Sequence, residues 1–404
     1  MKNNWQVKRL EEVTDIYSGG TPRRSIPEYW GDDVPWLTME DTNNFDVRGT
    51  VQHISSEGLQ NSNAQLVPAG SVNLSCTASV GNVTINRIPL ATNQQFNSFH
   101  PHEELVTEFL AYQLIHRKRD IEALGGTTTF SFINKTAISK FKVQVPPMDT
   151  QKKIANILFS VDKAIQKTDD IIQKIELLKQ GLMRELLTKG ISHKKFKQTK
   201  IGKIPEEWET HTIKQVSEKV NVGFVGTCER YYTDNSGIPM IRTGNIKRGE
   251  LDLSELKYVT KDFNNKNKKS QLIPGDILIA RHGDIGQATS VPNSLSLANC
   301  LNVVIVRANS RLIVPKFLAY FINSPIVKDQ IKIKAGGSTQ NVVNTREIAN
   351  CFISLPDLNE QKEILIILEN TDEVLDINRQ FKNYYLILKK GLMNDIFSQK
   401  VQIN

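Results

Sequence analysis

Two halves of this 404-residue chain carry the same short strings in the same order. QLVPAGSV at 65–72 returns as QLIPGDIL at 271–278, and FLAY at 109–112 returns at 317–320. QKKI at 151–154 becomes QKEI at 361–364, and KQGLM at 179–183 becomes KKGLM at 389–393. Trp5 corresponds to Trp208, so the offset drifts only from 203 to 210 across the repeat. Solenoid units run about 20–50 residues, so a repeat this long is a duplicated domain. Such a duplication folds as a pseudo-dimer with an approximate two-fold axis, and two related but diverged sites facing one ligand are the expectation.

Each copy has a mixed part and then a helical part. Short β-branched runs such as VPWLTM at 34–39 and SVNLSC at 71–76 alternate with Gly, Pro, Asn and Ser; IPMIRT at 238–243, DILIARH at 276–282 and LNVVIVRA at 301–308 do the same in the second copy. Runs of about four to eight such residues between turn signals read as strands. A helix carrying FLAY is expected over 103–123 and again over 313–333. The fold class is therefore α/β, in the α+β sense. After Pro146–Pro147 the texture changes, with Gly181 the only Gly or Pro from Gln151 to Thr188. Ile154, Leu158, Val161, Ile165, Ile172, Ile175, Leu182 and Leu186 keep the alternating step of a coiled-coil seam, interrupted by Thr168 and Lys179. Ile364, Leu368, Thr371, Leu375, Tyr385, Leu392 and Ile396 repeat it. Two long antiparallel helices holding two globular domains apart are expected. The divisions run 1–147 for the first globular domain, 148–190 for the first helical region, 206–356 for the second domain and 357–404 for the second helical region. Between them, 191–205 reads as a solvated basic linker carrying Lys194, Lys195, Lys197, Lys200 and Lys203.

A net charge of +8 and a pI near 9.1 permit a polyanionic partner. Cys76, Cys228, Cys300 and Cys351 form no CxxC pair, which points to neither a metal site nor a disulfide framework. His282 has no second histidine or cysteine at ligand spacing, and His100 and His102 have no counterpart in the second copy. No apolar leader and no membrane-length apolar run occurs, so a cytoplasmic chain without membrane contact is expected. PDLNEQK at 356–362 looks superficially like a nuclease PD…ExK string, but Thr150 stands at its glutamate position in the first copy. Asp357 and Glu360 are also too close in sequence to flank a metal from adjacent strands, so Asp357 reads as a helix N-cap.

The run SGGTPRRS at 18–25, the following EYWGDDVPWLTMED at 28–41, and the proline–QKKI/QKEI openings of helices that close with GLM carry a family resemblance. Over essentially its whole length the chain resembles the specificity subunits of type I restriction–modification enzymes. The resemblance implies two target recognition domains, each reading one half of a split, asymmetric double-stranded DNA site. It also implies two helical conserved regions that pack as an antiparallel coiled coil and dock two methyltransferase subunits, with restriction subunits completing the nuclease. Catalysis, S-adenosylmethionine, ATP and Mg then belong to the partners, and this chain holds no cofactor. The residues agree: Val145-Pro-Pro-Met148 is not a (D/N)PP(Y/F) methyltransferase loop, and no GxxxxGK(S/T) phosphate loop occurs. The alternative, a self-sufficient DNA-modifying or cleaving enzyme with duplicated DNA-binding domains, lacks those motifs.

Base readout calls for Arg or Lys toward guanine and Asn or Gln toward adenine, with backbone and Lys contacts to phosphate. In the first domain the candidates are Gly20, Thr21, Arg23 and Arg24 after the Gly19–Gly20 turn, then Thr38, Asp41 and Arg48. In the second they are Arg242, Thr243, Asn245, Lys247 and Arg248, with Arg281 and His282 standing where Cys76 and Thr77 stand in the first. A second loop, GGTTTFSFIN at 125–134 and GGSTQNVVN at 336–344, adds Thr127, Thr128, Ser338 and Gln340. The helices' seam residues Ile154, Leu158, Val161, Ile165, Ile172, Leu182, Ile364, Leu368, Leu375, Tyr385 and Leu392 are the candidates for partner binding.

Overall fold

The computed structural model describes residues 5–77, 80–125, 133–247, 249–283, 285–335 and 344–401. Contacts divide the chain into two units, Met1–Asp169 with Gln380–Asn404 and Asp170–Arg379, so each unit takes part of both long helices.

In the first unit the strand Gln6–Arg9 pairs antiparallel with Lys142–Val145, Gln6 lying opposite Val145. The chain thus enters and leaves the domain at one place, beside the prolines that open the first long helix. A five-stranded sheet runs in the order Thr14–Ser18, Phe96–Pro101, Ser71–Ser75, Val83–Asn86, Asp46–Val47. A four-stranded sheet runs Gln52–Ile54, Val34–Leu37, Leu90–Thr92, Leu66–Val67, with Val34–Leu37 parallel to Leu90–Thr92. Helix Thr107–His116 packs on the larger sheet and buries Phe109, Leu110, Ala111 and Tyr112, which explains the FLAY string.

The second unit repeats the plan. Glu209–Thr212 pairs with Phe352–Leu355, and a parallel pair recurs between Ile238–Arg242 and Ala298–Leu301. The single helices expected around FLAY are each broken in two. Pro325, which has no N–H to continue a helix, separates Pro315–Asn323 from Pro325–Ala335. Arg117 separates Thr107–His116 from Lys118–Ala123 in the first copy.

The long helices span Met148–Lys189 and Leu358–Phe397. Asp357 Oδ1 accepts the N–H groups of Asn359 and Glu360 at 2.8 and 3.0 Å, so it caps the second helix. Glu360 is occupied elsewhere, accepting from Trp208 Nε1 at 2.9 Å and the Ile191 N–H at 3.0 Å, with His193 Nε2 at 2.8 Å. In the first unit Lys389 meets Asp162 at 2.6 Å and Lys382 meets Asp169 at 2.5 Å. In the second, Arg379 meets Glu176 at 3.1 Å and Lys179 pairs with Asp372. In both units rising numbers on one helix meet falling numbers on the other. The helices run antiparallel.

Two expectations need correction. Residues 196–205 are not a linker: Phe196–Thr199 and Gly202–Pro205 form an antiparallel hairpin, seated by a fully buried Ile204. The seam residues also do not form a free docking face. Ile154 and Leu158 lie in the core of the first unit and Ile364 and Leu368 in that of the second, while Ile172 and Leu375 are buried too. Val161, Ile165, Leu182, Tyr385 and Leu392 are half-buried. The GLM methionines follow the same logic. Met393, with Ile396 and Phe397, completes the first domain's core, and Met183, with Leu187, completes the second's. The C-terminal end of each long helix therefore closes the core of the other copy's domain, while its N-terminal end packs in its own. At about 1.5–3 kcal/mol per fully buried apolar side chain, these residues belong to the stability of the domains.

Candidate nucleic-acid interface

Two devices that recur in both copies tie each mixed domain to the long helices. Gln151 is fully buried; its Oε1 accepts the Val106 N–H at 2.8 Å, and its Nε2 donates to the carbonyls of Glu104 and Pro146 at 2.9 and 2.8 Å. Gln361 does the same for the Val314 N–H at 2.8 Å and the carbonyls of Leu312 and Pro356 at 3.0 and 2.9 Å. A glutamine is required because one side chain must supply an acceptor and two donors to main-chain groups out of reach of water.

The second device is a Tyr–Asp–Lys joint. The Tyr112 hydroxyl donates to Asp162 Oδ2 at 2.8 Å, and Lys389 binds the same carboxylate with its ammonium 5.3 Å from the tyrosine ring centroid. In the second copy the Tyr320 hydroxyl donates to Asp372 at 2.5 Å, and Lys179 pairs with that carboxylate 5.5 Å from the ring. Burial, and then the adjacent carboxylate, push both phenols well above the usual tyrosine range, so each remains a donor. Gln151, Gln361, Tyr112 and Tyr320 lie within the repeated strings QKKI, QKEI and FLAY, where residue type alone assigns them no role. Their signal was the identity of polar residues within otherwise apolar repeats.

The predicted readout residues divide into exposed and internally committed groups. The N–H of Gly19 donates to the Phe96 carbonyl at 3.1 Å and that of Gly20 to the Thr92 carbonyl at 2.9 Å. A Cβ on Gly19 would lie 1.7 Å from the Asn93 oxygen, and one on Gly20 would lie 2.3 Å from the Ala64 nitrogen. The glycines allow two backbones to pass, and Gly20 is not a phosphate donor. Thr21 donates to Gln94. Arg23 and Arg24 are exposed, and the Arg24 guanidinium lies 5.0 Å from the Trp30 ring, which in turn meets Trp36 edge-on at 5.2 Å. Arg24 therefore stands on an aromatic base. Arg48 is exposed as well.

Thr38 and Asp41 are corrected to structural residues. Asp41 accepts the Thr38 N–H through Oδ2 and the Val51 N–H through Oδ1, both at 2.8 Å. Asn245 occupies the same place in the second copy: it is buried, accepts the Arg242 N–H at 3.0 Å and donates to the Asp252 carbonyl at 3.1 Å. These side chains close a turn and have little left for a base. The shared geometry also sets Arg242 opposite Thr38. Arg242 is half-buried, with Nη2 3.5 Å from the Glu255 carbonyl and a buried Nε without a partner. Thr243 donates to the Asn302 carbonyl at 3.1 Å. Lys247 is exposed and pairs with Asp252 at 2.6 Å, a contact that raises the lysine pKa and lowers that of the aspartate.

Arg281 and His282 follow the strand Ile277–Ala280. The alignment of Arg281 with Cys76 is supported by matching bonds: Ser75 N–H to the Asn82 carbonyl at 2.8 Å, and Ala280 N–H to the Gln287 carbonyl at 2.8 Å. At that place the first copy has a buried thiol receiving Asn97 Nδ2 at 3.0 Å, and the second has a half-buried guanidinium. His282 is exposed. Arg248, Thr127, Thr128, Ser338 and Gln340 lie outside the described residues. Among the described residues, no group of three or more His, Cys, Asp or Glu is placed to hold a metal ion.

A family model described as the type I restriction modification DNA specificity domain matches residues 2–177 and again 205–384. The chain belongs to this family. It is therefore a recognition chain in which the DNA specificity domain occurs twice, and not the catalytic part of its system. The MjaVIII specificity subunit of Methanocaldococcus jannaschii is 24% identical over 99% of this chain and 93% of its own length. The MjaIX specificity subunit of the same organism is 26% identical over 92% of each. Among solved structures, the specificity subunit of M. genitalium matches with a TM-score of 0.58 at 12% identity, covering 100% of this chain and 98% of its own. A chain from a study of type I complex assembly and conformational transition matches with a TM-score of 0.60 at 14% identity, covering 98% of each. These two likenesses show the shared fold. No described helix is long and apolar enough to cross a membrane.

Proposed function

We propose that this specificity-family chain reads a bipartite, asymmetric sequence in double-stranded DNA, one half-site per mixed domain, in the cytoplasm, while its helices dock two methyltransferase subunits and, through them, restriction subunits. The observation that carries the reading is the contrast between the two copies. Their joints are chemically identical, and their strand-end loops offer different hydrogen-bonding groups. One frame with two different reading edges suits a split site whose halves differ. Thr21, Arg23, Arg24 and Arg48 then face the first half-site, and Arg242, Thr243, Lys247, Arg281 and His282 the second. Each direct base contact would contribute about 1–3 kcal/mol of discrimination.

Partner docking is supported by apolar side chains that the helices leave outside their own packing. Leu177 and Leu178 are 68% and 56% exposed in the second unit, and Tyr384 and Ile387 are 61% and 63% exposed in the first. Exposed apolar residues concentrated on a helix surface mark a protein contact more readily than a solvent face. S-adenosylmethionine, ATP and Mg would be held by the partners.

Domain exchange tests the reading. Replacing residues 1–147 with the equivalent domain of another family member should change one half of the methylated site and leave the other half intact. Change in both halves, or in neither, sinks the two-reader model. Removing a heptad from each long helix should alter the spacer between half-sites without altering the half-sites.

A further inference from the structure

The charge of the chain is not shared between its halves. Residues 1–147 carry 13 Lys and Arg against 15 Asp and Glu, whereas residues 191–356 carry 24 against 14. The second stretch more than accounts for the net charge of +8. Its densest part is the hairpin that precedes the second domain, where five lysines occur between Lys194 and Lys203 with no acidic residue among them.

The hairpin is folded, so these charges are displayed and not merely tethered. Ile204 is buried in the core of the second unit and Pro205 is buried beside it. Phe196 pairs with Pro205, Lys197 with Ile204 and Gln198 with Lys203. Lys197 donates to the Glu206 carbonyl at 2.7 Å, and the Lys200 ammonium lies 4.8 Å from the centre of the Phe352 ring, which stiffens the base of the patch. Lys194, Lys195 and Lys203 are exposed and have no partner among the described residues. Phe196, 37% exposed, stands directly after the lysine pair. No carboxylate of the hairpin offsets this charge, and among the described residues none pairs with Lys194, Lys195 or Lys203. A folded hairpin with exposed, uncompensated ammonium groups and little base-reading chemistry fits the phosphate backbone.

We propose that Lys194, Lys195 and Lys203 form a sequence-independent grip on the phosphate backbone of duplex DNA beside the second recognition domain, making that half of the chain the electrostatic anchor. The proposal rests on the DNA-reading function above and adds where the salt-sensitive part of binding resides. The first domain, with no basic excess, holds its half-site through directed contacts on a duplex already gripped by the second.

The test uses the purified full chain, a short duplex of arbitrary sequence and a duplex carrying the cognate site, with affinity measured across a salt series. Each phosphate contact contributes about 0.9 to the slope of log affinity against log salt. The triple variant Lys194→Gln, Lys195→Gln, Lys203→Gln should flatten that slope by about two to three. It should weaken binding to both duplexes by a similar factor, leaving their ratio unchanged. The arginine triple at the same positions should retain the wild-type slope, which separates lost charge from a damaged hairpin. An unchanged slope in the glutamine variant, while the wild type binds with a normal salt dependence, overturns the grip alone. Loss of methyltransferase co-assembly with an unchanged slope also overturns it and assigns the lysines to an acidic protein surface. A wild-type chain that binds neither duplex at any salt overturns the DNA-reading function and the grip with it.

Discussion

The joints and the reading edges of the two halves have diverged to opposite extents. Tyr112, Asp162 and Lys389 make the same three-way contact as Tyr320, Asp372 and Lys179, and Gln151 makes the same three bonds as Gln361. At the strand ends, by contrast, Thr38 stands against Arg242 and Cys76 against Arg281. The difference is one of how much geometry constrains each place. A buried glutamine serving three main-chain groups has no substitute of the same shape and chemistry, whereas these strand ends hold a buried side chain in one copy and a half-buried arginine in the other. The joints thereby keep two diverging readers at fixed places on their helices.

The glutamines give the largest expected effect. Gln151→Leu and Gln361→Leu would each strand one N–H and two carbonyls without partners. Each should destabilise its own unit by about 3 kcal/mol or more, at about 1–3 kcal/mol per unsatisfied buried group. Urea unfolding of the two variants should give losses of similar size. A large loss in one and a negligible loss in the other breaks the equivalence of the joints.

The ion pairs come next. Asp162→Asn leaves Lys389 without its counter-charge and weakens the Tyr112 bond, and Asp372→Asn does the same to Lys179 and Tyr320. Because these pairs are only partly buried, a loss of about 2 kcal/mol each is expected, below the range for a fully buried pair. Restoring complementarity in the double variant Asp162→Lys, Lys389→Asp should recover part of the loss. No recovery would show that the tyrosine hydrogen bond, and not the charge pair, carries the joint.

Much of this framework was legible in the sequence. The duplication, the long helices and the Asp357 cap follow from period and residue type, which act locally. What was hidden depends on non-local partners. Thr38, Asp41 and Asn245 have the side chains of base readers, but the sequence does not disclose that Asp41 and Asn245 already serve main-chain N–H groups within ten residues or that Thr38 donates to Asp41. Gly19 and Gly20 looked suited to phosphate for the same reason that they suit a backbone crossing, namely the absence of a Cβ. The exchange of Met183 and Met393 into each other copy's domain core could not be read from either helix alone. The hairpin at 196–205 was obscured by its lysines, since its buried pair, Ile204 and Pro205, is too small a pattern to register as a strand pair.

One contact has no counterpart and tests whether the copies also differ in their frame. Glu360 ties together Trp208, His193 and the Ile191 N–H, and its position in the first copy is Thr150. Glu360→Thr imports the first copy's residue and should cost about 1–2 kcal/mol, the worth of a charged hydrogen-bond acceptor serving one buried and two half-buried donors. The loss should be confined to the second unit, with amide exchange rising around Ile191 and Trp208. Exchange rising equally in the first unit would mean that the contact is not local to the second.

The smallest expected difference is one of pH. His116 ends the FLAY helix of the first copy with its ring stacked on Phe397 at 5.1 Å, and its place in the second copy is taken by Ser324. Burial first, and then the neighbouring Arg117, lower the His116 pKa below its ordinary value of 6.5. A base whose folded pKa is depressed contributes fully above its unfolded pKa and loses that contribution as pH falls through the folded one. The stability advantage of the wild type over His116→Gln should therefore be constant at about pH 8 and shrink progressively below about pH 6.5. Because the ring is partly solvated, the change should be modest. Ser324 does not titrate, so Ser324→Ala should give an offset independent of pH across the same range. An advantage for His116 that grew on acidification would mean that the folded state favours the imidazolium, reversing the assigned cause and leaving Phe397 as a cation–π partner for a charged ring.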